Sequence, residues 1–198
     1  MLDLSGAPER REQAARARSA AYVFMSAAIE RCVKDVLVAV LREINAQGVP
    51  FKDIRTSLFA LLSSGHIDFI RASGKSRTLE RHTRAVAMFS QVVDAGNCAF
   101  SLEVLPVDGR TFRATHLQAI WTVFGFNGVP VPNPTHALAL QDLATGRNEV
   151  AHGTVDPVTF GRGKATADVA KLIDRIEDVV LHFVSTADNY TSGAHYLR

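Results

Sequence analysis

The spacing of apolar side chains over residues 8–46 predicts one long helix. Apolar positions recur every three or four residues, as on one helix face, and not every second residue as in a strand. Pro8 suits a first helical turn, and Glu9 is favourable near the positive end of a helix. Gly48 and Pro50 end the pattern. The apolar set is Val23, Ala27, Val33, Leu37, Val40, Leu41 and Ile44.

Further helical patterns follow, separated by breaks rich in Gly and Pro. Residues 51–72 have the pattern of one or two shorter helices. The segment "GFNGVPVPNP" is predicted to be a rigid loop, and so is "GTVDPVTFGRGKAT", which begins at residue 153. Thr166 is a candidate N-cap of the last helix. The remaining predicted helices cover residues 77–95, 114–125, 135–152 and 166–188.

Residues 98–113 are ambiguous. Asp108-Gly109 is a turn signal, and the weak alternation on either side permits a short β-hairpin near 98–113. Taken together, the patterns predict an all-α protein, a bundle of about four long helices with shorter helices added. We expect the whole chain, 1–198, to form a single domain.

Composition adds limits to this fold. The chain has 198 residues, of which 47% are hydrophobic, so a sizeable core is expected and global disorder is not. A formal net charge of +2 is too small to argue for nucleic-acid binding by itself. Cys32 and Cys98 lack metal-ligand spacing and are expected to be reduced. With no apolar leader and no uncharged apolar run of ~18 residues, we expect a soluble cytoplasmic protein without membrane contact.

The stretch "RNEVAHG" is the strongest candidate for chemistry. Arg147 and His152 stand five positions apart, but Arg77 and His82 repeat that spacing, so context must decide. His152 falls on the last turn of a predicted helix, and Gly153 suits the position after it. In an unbroken helix the two side chains would point about 140° apart. A helix that ends at Gly153 lets His152 swing back towards Arg147.

A structural interpretation of the same stretch stays open. Arg147 would then pair with Glu149 or Asp142, and His152 would only cap its own helix. For Arg77 and His82, which lie among further charges without a helix stop, a solvated helix face is the expectation.

The string R-N-x-x-A-H-G resembles the signature of the HEPN superfamily of α-helical domains, many of which are ribonucleases. The hallmark of that family is an Arg and a His with four to six residues between them, often with a polar residue directly after the Arg. Arg147, Asn148 and His152 stand on the matching positions. The resemblance therefore implies a HEPN-like helical bundle.

The first helix is similar to that of the RiboL-PSP-HEPN type, which has an embedded acid and a nearby Lys. Ser26, Glu30 and Lys34 supply matching residues. Apart from the resemblance, an acid among apolar neighbours is either paired or on the outer face, because charged residues are rarely buried alone.

The resemblance implies a metal-independent endoribonuclease without cofactor, acting as a homodimer in which both copies form one composite cleft. Arg147 would hold the scissile phosphate, and His152 would be the general acid or base for attack by the 2′-hydroxyl. Asn148 would orient phosphate or His152, and Glu30 would position Arg147 or tune His152. A toxin or antiviral effector is implied, with an antitoxin as a further partner. The alternative is a catalytically silent HEPN module for dimerisation or for RNA or nucleotide binding.

Basic residues in two segments are candidates for binding RNA phosphates. Residues 71–84 form the densest basic segment, for which a solvated helix face is the alternative. The loop after the motif is better placed, since the chain there is still close to His152. The candidates are Arg71, Lys75, Arg77 and Arg81 in the first segment, and Arg162 and Lys164 in the loop.

Other aromatic and histidine residues are expected to be structural or incidental. Trp121 and Phe124 are predicted to be core residues. Five histidines show no metal-ligand spacing and are expected to have no role in a site: His66, His116, His136, His182 and His195.

Overall fold

The computed structural model describes residues 8–72, 77–93, 96–102 and 111–198. These residues form helices, and none of them lies in a named strand, so the predicted all-α class is confirmed. Short 3-10 turns occupy Phe51–Asp53 and Thr56–Leu58. The helices are α1 (Pro8–Gln47), α2 (Phe59–Leu62), α3 (Ser64–Ala72), α4 (Thr78–Val93), α5 (Ala114–Phe124), α6 (Pro134–Ala151), α7 (Pro157–Arg162) and α8 (Thr166–Ser192).

Helix α6 has clear signals at both ends. The Asn133 side chain accepts a hydrogen bond of 2.9 Å from the Thr135 N–H, and Pro134 takes the first helical position. At the other end, Gly153 has a left-handed φ of +67°, and its N–H donates to the Val150 carbonyl at 3.2 Å. The predicted end of this helix at Gly153 is therefore confirmed.

Helix α7 lies in a segment predicted to be a loop, so that prediction was wrong. Asp156 caps the helix by accepting from the Thr159 N–H at 2.9 Å, and Pro157 follows at the first helical position. Gly161 brings α7 against α1, and its carbonyl accepts from Arg18 Nε at 2.9 Å. A short helix thus forms because it has a good cap and a packing partner.

Of two further sequence predictions, the possible hairpin near 98–113 lies partly outside the described residues, and the N-cap at Thr166 was wrong. The described parts of 98–113 contain no strand, and the Asp108-Gly109 turn lies outside the described residues. Nearby backbone groups pair instead with the stretch after α1, where the Cys98 N–H donates to the Val49 carbonyl at 2.7 Å. Helix α8 begins at Thr166, so Thr166 is not the cap. Its first hydrogen bonds, from Asp168 and Val169, go to the Ala165 carbonyl.

The chain divides into two compact units. Among the described residues, unit 1 consists of 8–34, 111–118 and 129–184, and unit 2 consists of 35–72, 77–93, 96–102, 119–128 and 185–198. Helices α1, α5 and α8 contribute residues to both, and the single domain stays a prediction. Buried side chains in unit 1 include Tyr22, Ile29, Leu117, Leu140, Leu143, Val179 and Phe183. Those in unit 2 include Leu41, Ile44, Ile54, Leu58, Trp121, Phe124 and Tyr190, which confirms Trp121 and Phe124 as core.

Candidate functional site

Within unit 1, a cleft of about 490 Å³ opens beside the end of α6. It is bounded by the last two turns of α6, the first turn of α5 and the residues that lead into α5. All three residues of the sequence motif line it. The lining residues are Thr111, Arg113, Thr115, His116, Arg147, Asn148 and His152.

Arg147 is half-buried, and most of its donors have no partner among the described residues. One guanidinium nitrogen, Nη1, donates to Asn148 Oδ1 at 3.2 Å. No carboxylate in the described part of the chain forms an ion pair with it, so the structural alternative of a pair with Glu149 or Asp142 is absent there. Asp142 instead accepts from the Tyr22 hydroxyl and from Lys164 Nζ, both at 2.8 Å. The guanidinium thus retains donors for an anionic ligand.

Asn148 is held in a single orientation. Its carbonyl oxygen Oδ1 accepts from the Thr111 hydroxyl at 2.7 Å and from Arg147 Nη1 at 3.2 Å. Both lone pairs of that oxygen are occupied by donors. The other terminal atom of the side chain must therefore be the amide nitrogen Nδ2, which donates. Among the described residues, this amide nitrogen has no hydrogen-bond partner. Asn148 therefore adds N–H donors to the cleft next to the guanidinium.

His152 occupies the turn at which α6 ends. Its backbone N–H donates to the Asn148 carbonyl at 3.1 Å, and the left-handed Gly153 then turns the chain away. The side chain is exposed and lines the same cleft as Arg147. Arg147 and His152 thus line one cleft, while their approach to each other and their roles stay predictions.

A second histidine, His116, also lines the cleft, although no role in a site was expected for it. Its ring nitrogen Nδ1 accepts from the Arg113 backbone N–H at 3.0 Å. The Phe112 ring stacks against it with centroids 5.7 Å apart. Arg113 also lines the cleft and donates from Nη1 to Gln141 Oε1 at 3.0 Å. Sequence spacing missed both residues because tertiary packing brings α5 to α6.

Glu30 lies on α1 in unit 1 and is not among the residues that line the cleft. It is half-buried and accepts a hydrogen bond of 3.0 Å from the Ser26 hydroxyl, which is itself buried. The acid is thus paired within its own helix. That Glu30 positions Arg147 or tunes His152 stays a prediction.

The two basic residues after the motif have different surroundings. Arg162 is exposed at the end of α7. Lys164 Nζ instead donates to Asp142 and lies over the Tyr22 and Phe160 rings, 5.1 and 5.4 Å from their centroids. Burial opposes the charge of Lys164, but hydrogen bonds with Asp142 and Tyr22 outweigh it and raise its pKa. Its ammonium already has internal partners, so Arg162 is the better RNA-contact candidate.

The basic segment of 71–84 belongs to unit 2, whereas the cleft belongs to unit 1. Arg71 and Arg77 are exposed, and Arg81 is half-buried. Arg77 Nη1 lies 3.9 Å from a carboxylate oxygen of Glu80. Lys75 lies outside the described residues. His82 is exposed as well, as expected for a solvated helix face.

The cleft is cationic in character. Its seven lining residues, all in the described part of the chain, include two arginines and two histidines and no acid. Such a surface attracts anions, and bidentate guanidinium groups suit phosphate in particular. No group of three or more His, Cys, Asp or Glu side chains that could hold a metal ion occurs among the described residues.

No protein-family model matches the sequence, and no curated protein or solved structure matches it. The HEPN resemblance therefore depends on sequence residues alone, namely Arg147, Asn148 and His152 with Ser26, Glu30 and Lys34. Each helix in the described ranges is too short or too polar to cross a membrane.

Proposed function

We propose that the chain is a metal-independent endoribonuclease of the HEPN type. The observation that carries this is the meeting of Arg147, Asn148 and His152 in one cleft without acidic lining residues. Unused donors on Arg147 and Asn148 favour a phosphate there, and an exposed imidazole beside them is available for proton transfer.

The reaction is a transesterification on RNA. His152 takes the proton of the 2′-hydroxyl while the 2′-oxygen bonds to phosphorus, and the bond from phosphorus to the 5′-oxygen breaks. Arg147 stabilises the charge that develops on the non-bridging oxygens. In a homodimer whose two clefts join, the imidazolium of the second copy supplies the proton for the leaving 5′-oxygen. The products carry a 2′,3′-cyclic phosphate and a 5′-hydroxyl.

Cleavage of RNA in EDTA tests this function, with wild type compared with His152→Ala and His82→Ala. His82 is a matched control because it repeats the Arg-His spacing on an exposed helix. We expect the His152 change to lower the rate by about 10²–10⁴-fold, as for the loss of a general acid or base, and the His82 change to leave it unaltered. Equal losses in both variants, or strict dependence on Mg²⁺, would contradict the function.

A silent binding module is the second candidate, and the free donors of Arg147 and Asn148 favour it because they can bind phosphate without any proton transfer. RNA that binds to the wild type and stays intact, with binding lost in Arg147→Ala, would support this alternative.

For the cellular role we propose a toxin or antiviral effector, held in check by an antitoxin. Expression of wild type should then arrest growth, and expression of His152→Ala should not. If both proteins arrest growth, the toxicity does not depend on RNA cleavage.

A further inference from the structure

His116 is held by two contacts that leave one ring nitrogen uncommitted. Nδ1 accepts from the Arg113 backbone N–H at 3.0 Å, and the buried Phe112 ring stacks on the imidazole. The other nitrogen, Nε2, has no hydrogen-bond partner among the described residues. The half-buried side chain lines the cleft together with Arg147 and Asn148.

The bond at Nδ1 fixes the tautomer of the ring. A nitrogen that accepts a backbone N–H cannot carry the proton, so the neutral imidazole carries it on Nε2. His116 is therefore a donor at Nε2, and Nδ1 is not available as a base. Its position suits hydrogen bonding to an anion more than proton transfer.

Capping of α5 does not by itself require an imidazole. Arg113 precedes the helix, and His116 accepts from its N–H in the manner of the Glu or Gln of a capping box. That role needs one acceptor atom. The imidazole brings a second nitrogen, a donor, into a cleft whose other polar groups are the Arg113, Arg147 and Asn148 side chains, the threonine hydroxyls and His152.

We propose that His116 contacts the substrate directly, as a neutral donor from Nε2 to a non-bridging oxygen of the phosphodiester held by Arg147. This deepens the proposed function and rests on it, since a phosphodiester is the ligand. In this role His116 binds phosphate through the whole reaction and exchanges no proton. Proton transfer stays with His152.

The variant His116→Asn separates the donor from the cap. Asn Oδ1 takes the place of Nδ1 and can still accept from Arg113, while the Nε2 donor is lost. We expect an unchanged melting temperature and a drop of about 10- to 100-fold in affinity for an oligoribonucleotide with one 2′-deoxyribose at the scissile position, as for one hydrogen bond to a charged group. RNA cleavage should fall by a similar factor in kcat/KM. His82→Asn is the matched control.

The pH profile distinguishes a donor from a proton-transfer group. If the rate of cleavage falls at both acidic and alkaline pH in the wild type, both falls should remain in His116→Asn, because Arg113, Arg147 and His152 are unaltered. Loss of either fall would make His116 an acid or base and overturn the inference. Unchanged affinity and unchanged cleavage would leave only a capping role and overturn it as well.

Nitrogen NMR of the wild-type protein gives a test that needs no variant. His116 should show an unprotonated Nδ1 and a protonated Nε2. The Nε2 signal should shift when the deoxy oligonucleotide is added. A protonated Nδ1, or no shift on binding, would overturn the inference. If the wild type binds the oligonucleotide through His116 but never cleaves RNA, the proposed function fails and the inference stands. Wild type that does not bind it overturns the inference.

Discussion

At the scale of single residues, the guanidinium of Arg147 is tested by a change that keeps its charge. Lys presents a compact ammonium and cannot make the planar, two-pronged contact to phosphate. Its one nitrogen would also have to serve both the phosphate and Asn148, to which Nη1 of Arg147 donates at 3.2 Å. We expect Arg147→Lys to lower kcat/KM for RNA about as strongly as Arg147→Ala. Full activity of the Lys variant would show that charge alone suffices.

Arg162 and Lys164 offer a matched pair for RNA binding. Arg162 is exposed, whereas Lys164 Nζ is engaged by Asp142 at 2.8 Å. We expect Arg162→Ala to weaken RNA binding and to reduce the slope of log affinity against log salt by about 1, as for one lost phosphate contact. Lys164→Ala should leave that slope unchanged and lower the melting temperature. The reverse pattern in the salt titration would assign the RNA contact to Lys164.

Arg162 and Lys164 also show what the sequence does not predict. Proximity to the motif selected both, but it does not say which way a side chain points, and Lys164 points inward over Tyr22 and Phe160. Arg147, Asn148 and His152 could be found because one helix end holds them. His116 could not, because it reaches them through packing between α5 and α6.

At the scale of helices, the long apolar repeats of α1, α6 and α8 identify these elements in the sequence. The short α7 has too few residues for a periodic signal. Its signal was local: Asp156 stands before Pro157, and the Asp156 side chain accepts from the Thr159 N–H. A cap of this kind predicts a helix start, but whether six residues stay helical depends on packing, here the contact of Gly161 with α1.

Gly161 tests that contact. A Cβ on this residue would meet the Ala15 backbone carbonyl and lie 2.8 Å from the Ser19 hydroxyl oxygen, and a backbone atom cannot move aside easily. We expect Gly161→Ala to destabilise the protein by about 1–3 kcal/mol. Gly65 is the control, since a Cβ there meets nothing within 4 Å on helix α3. Gly65→Ala should gain about 0.5–1 kcal/mol. Denaturant midpoints measure both, and equal midpoints for the two variants would contradict the packing.

Tyr22 links α1 to α6 and should make stability depend on alkaline pH. Burial, followed by the hydrogen bond to Asp142, raises its pKa from 10.0 to about 12. A raised pKa gives stability that is fully present below pH 10 and is lost as pH rises through about 12. Tyr22→Phe keeps the ring against Phe160 and removes the ionisation, so its stability should fall less steeply over that window. Parallel curves in denaturant titrations at several pH values would exclude Tyr22 as the cause.

At the scale of the whole molecule, the all-α class follows from the apolar repeats. Which apolar side chains remain exposed depends on the fold. We expect the dimer to form through α1 and α6, the first long helix and the helix of the motif. Among the large apolar side chains exposed in unit 1, one lies on each of these helices. Phe24 on α1 is 72% exposed, and Leu138 on α6 is 69% exposed. A sequence pattern cannot separate such residues from core residues, because both kinds are equally apolar.

Charged substitutions can test the dimer. A two-fold interface repeats the same surface on both copies, so one charged substitution is present twice in it. We expect sedimentation to show a dimer at micromolar concentration, and Leu138→Asp to raise its dissociation constant on the order of 100-fold, as for a central interface residue. Leu79 on α4 is 81% exposed and belongs to unit 2, so Leu79→Asp is the control that should stay dimeric.

RNA cleavage by Leu138→Asp should recover as protein concentration rises, because a composite site needs both copies. A wild type that is monomeric at micromolar concentration and still cleaves RNA would contradict the composite site and show that one cleft, with Arg147 and His152, is sufficient.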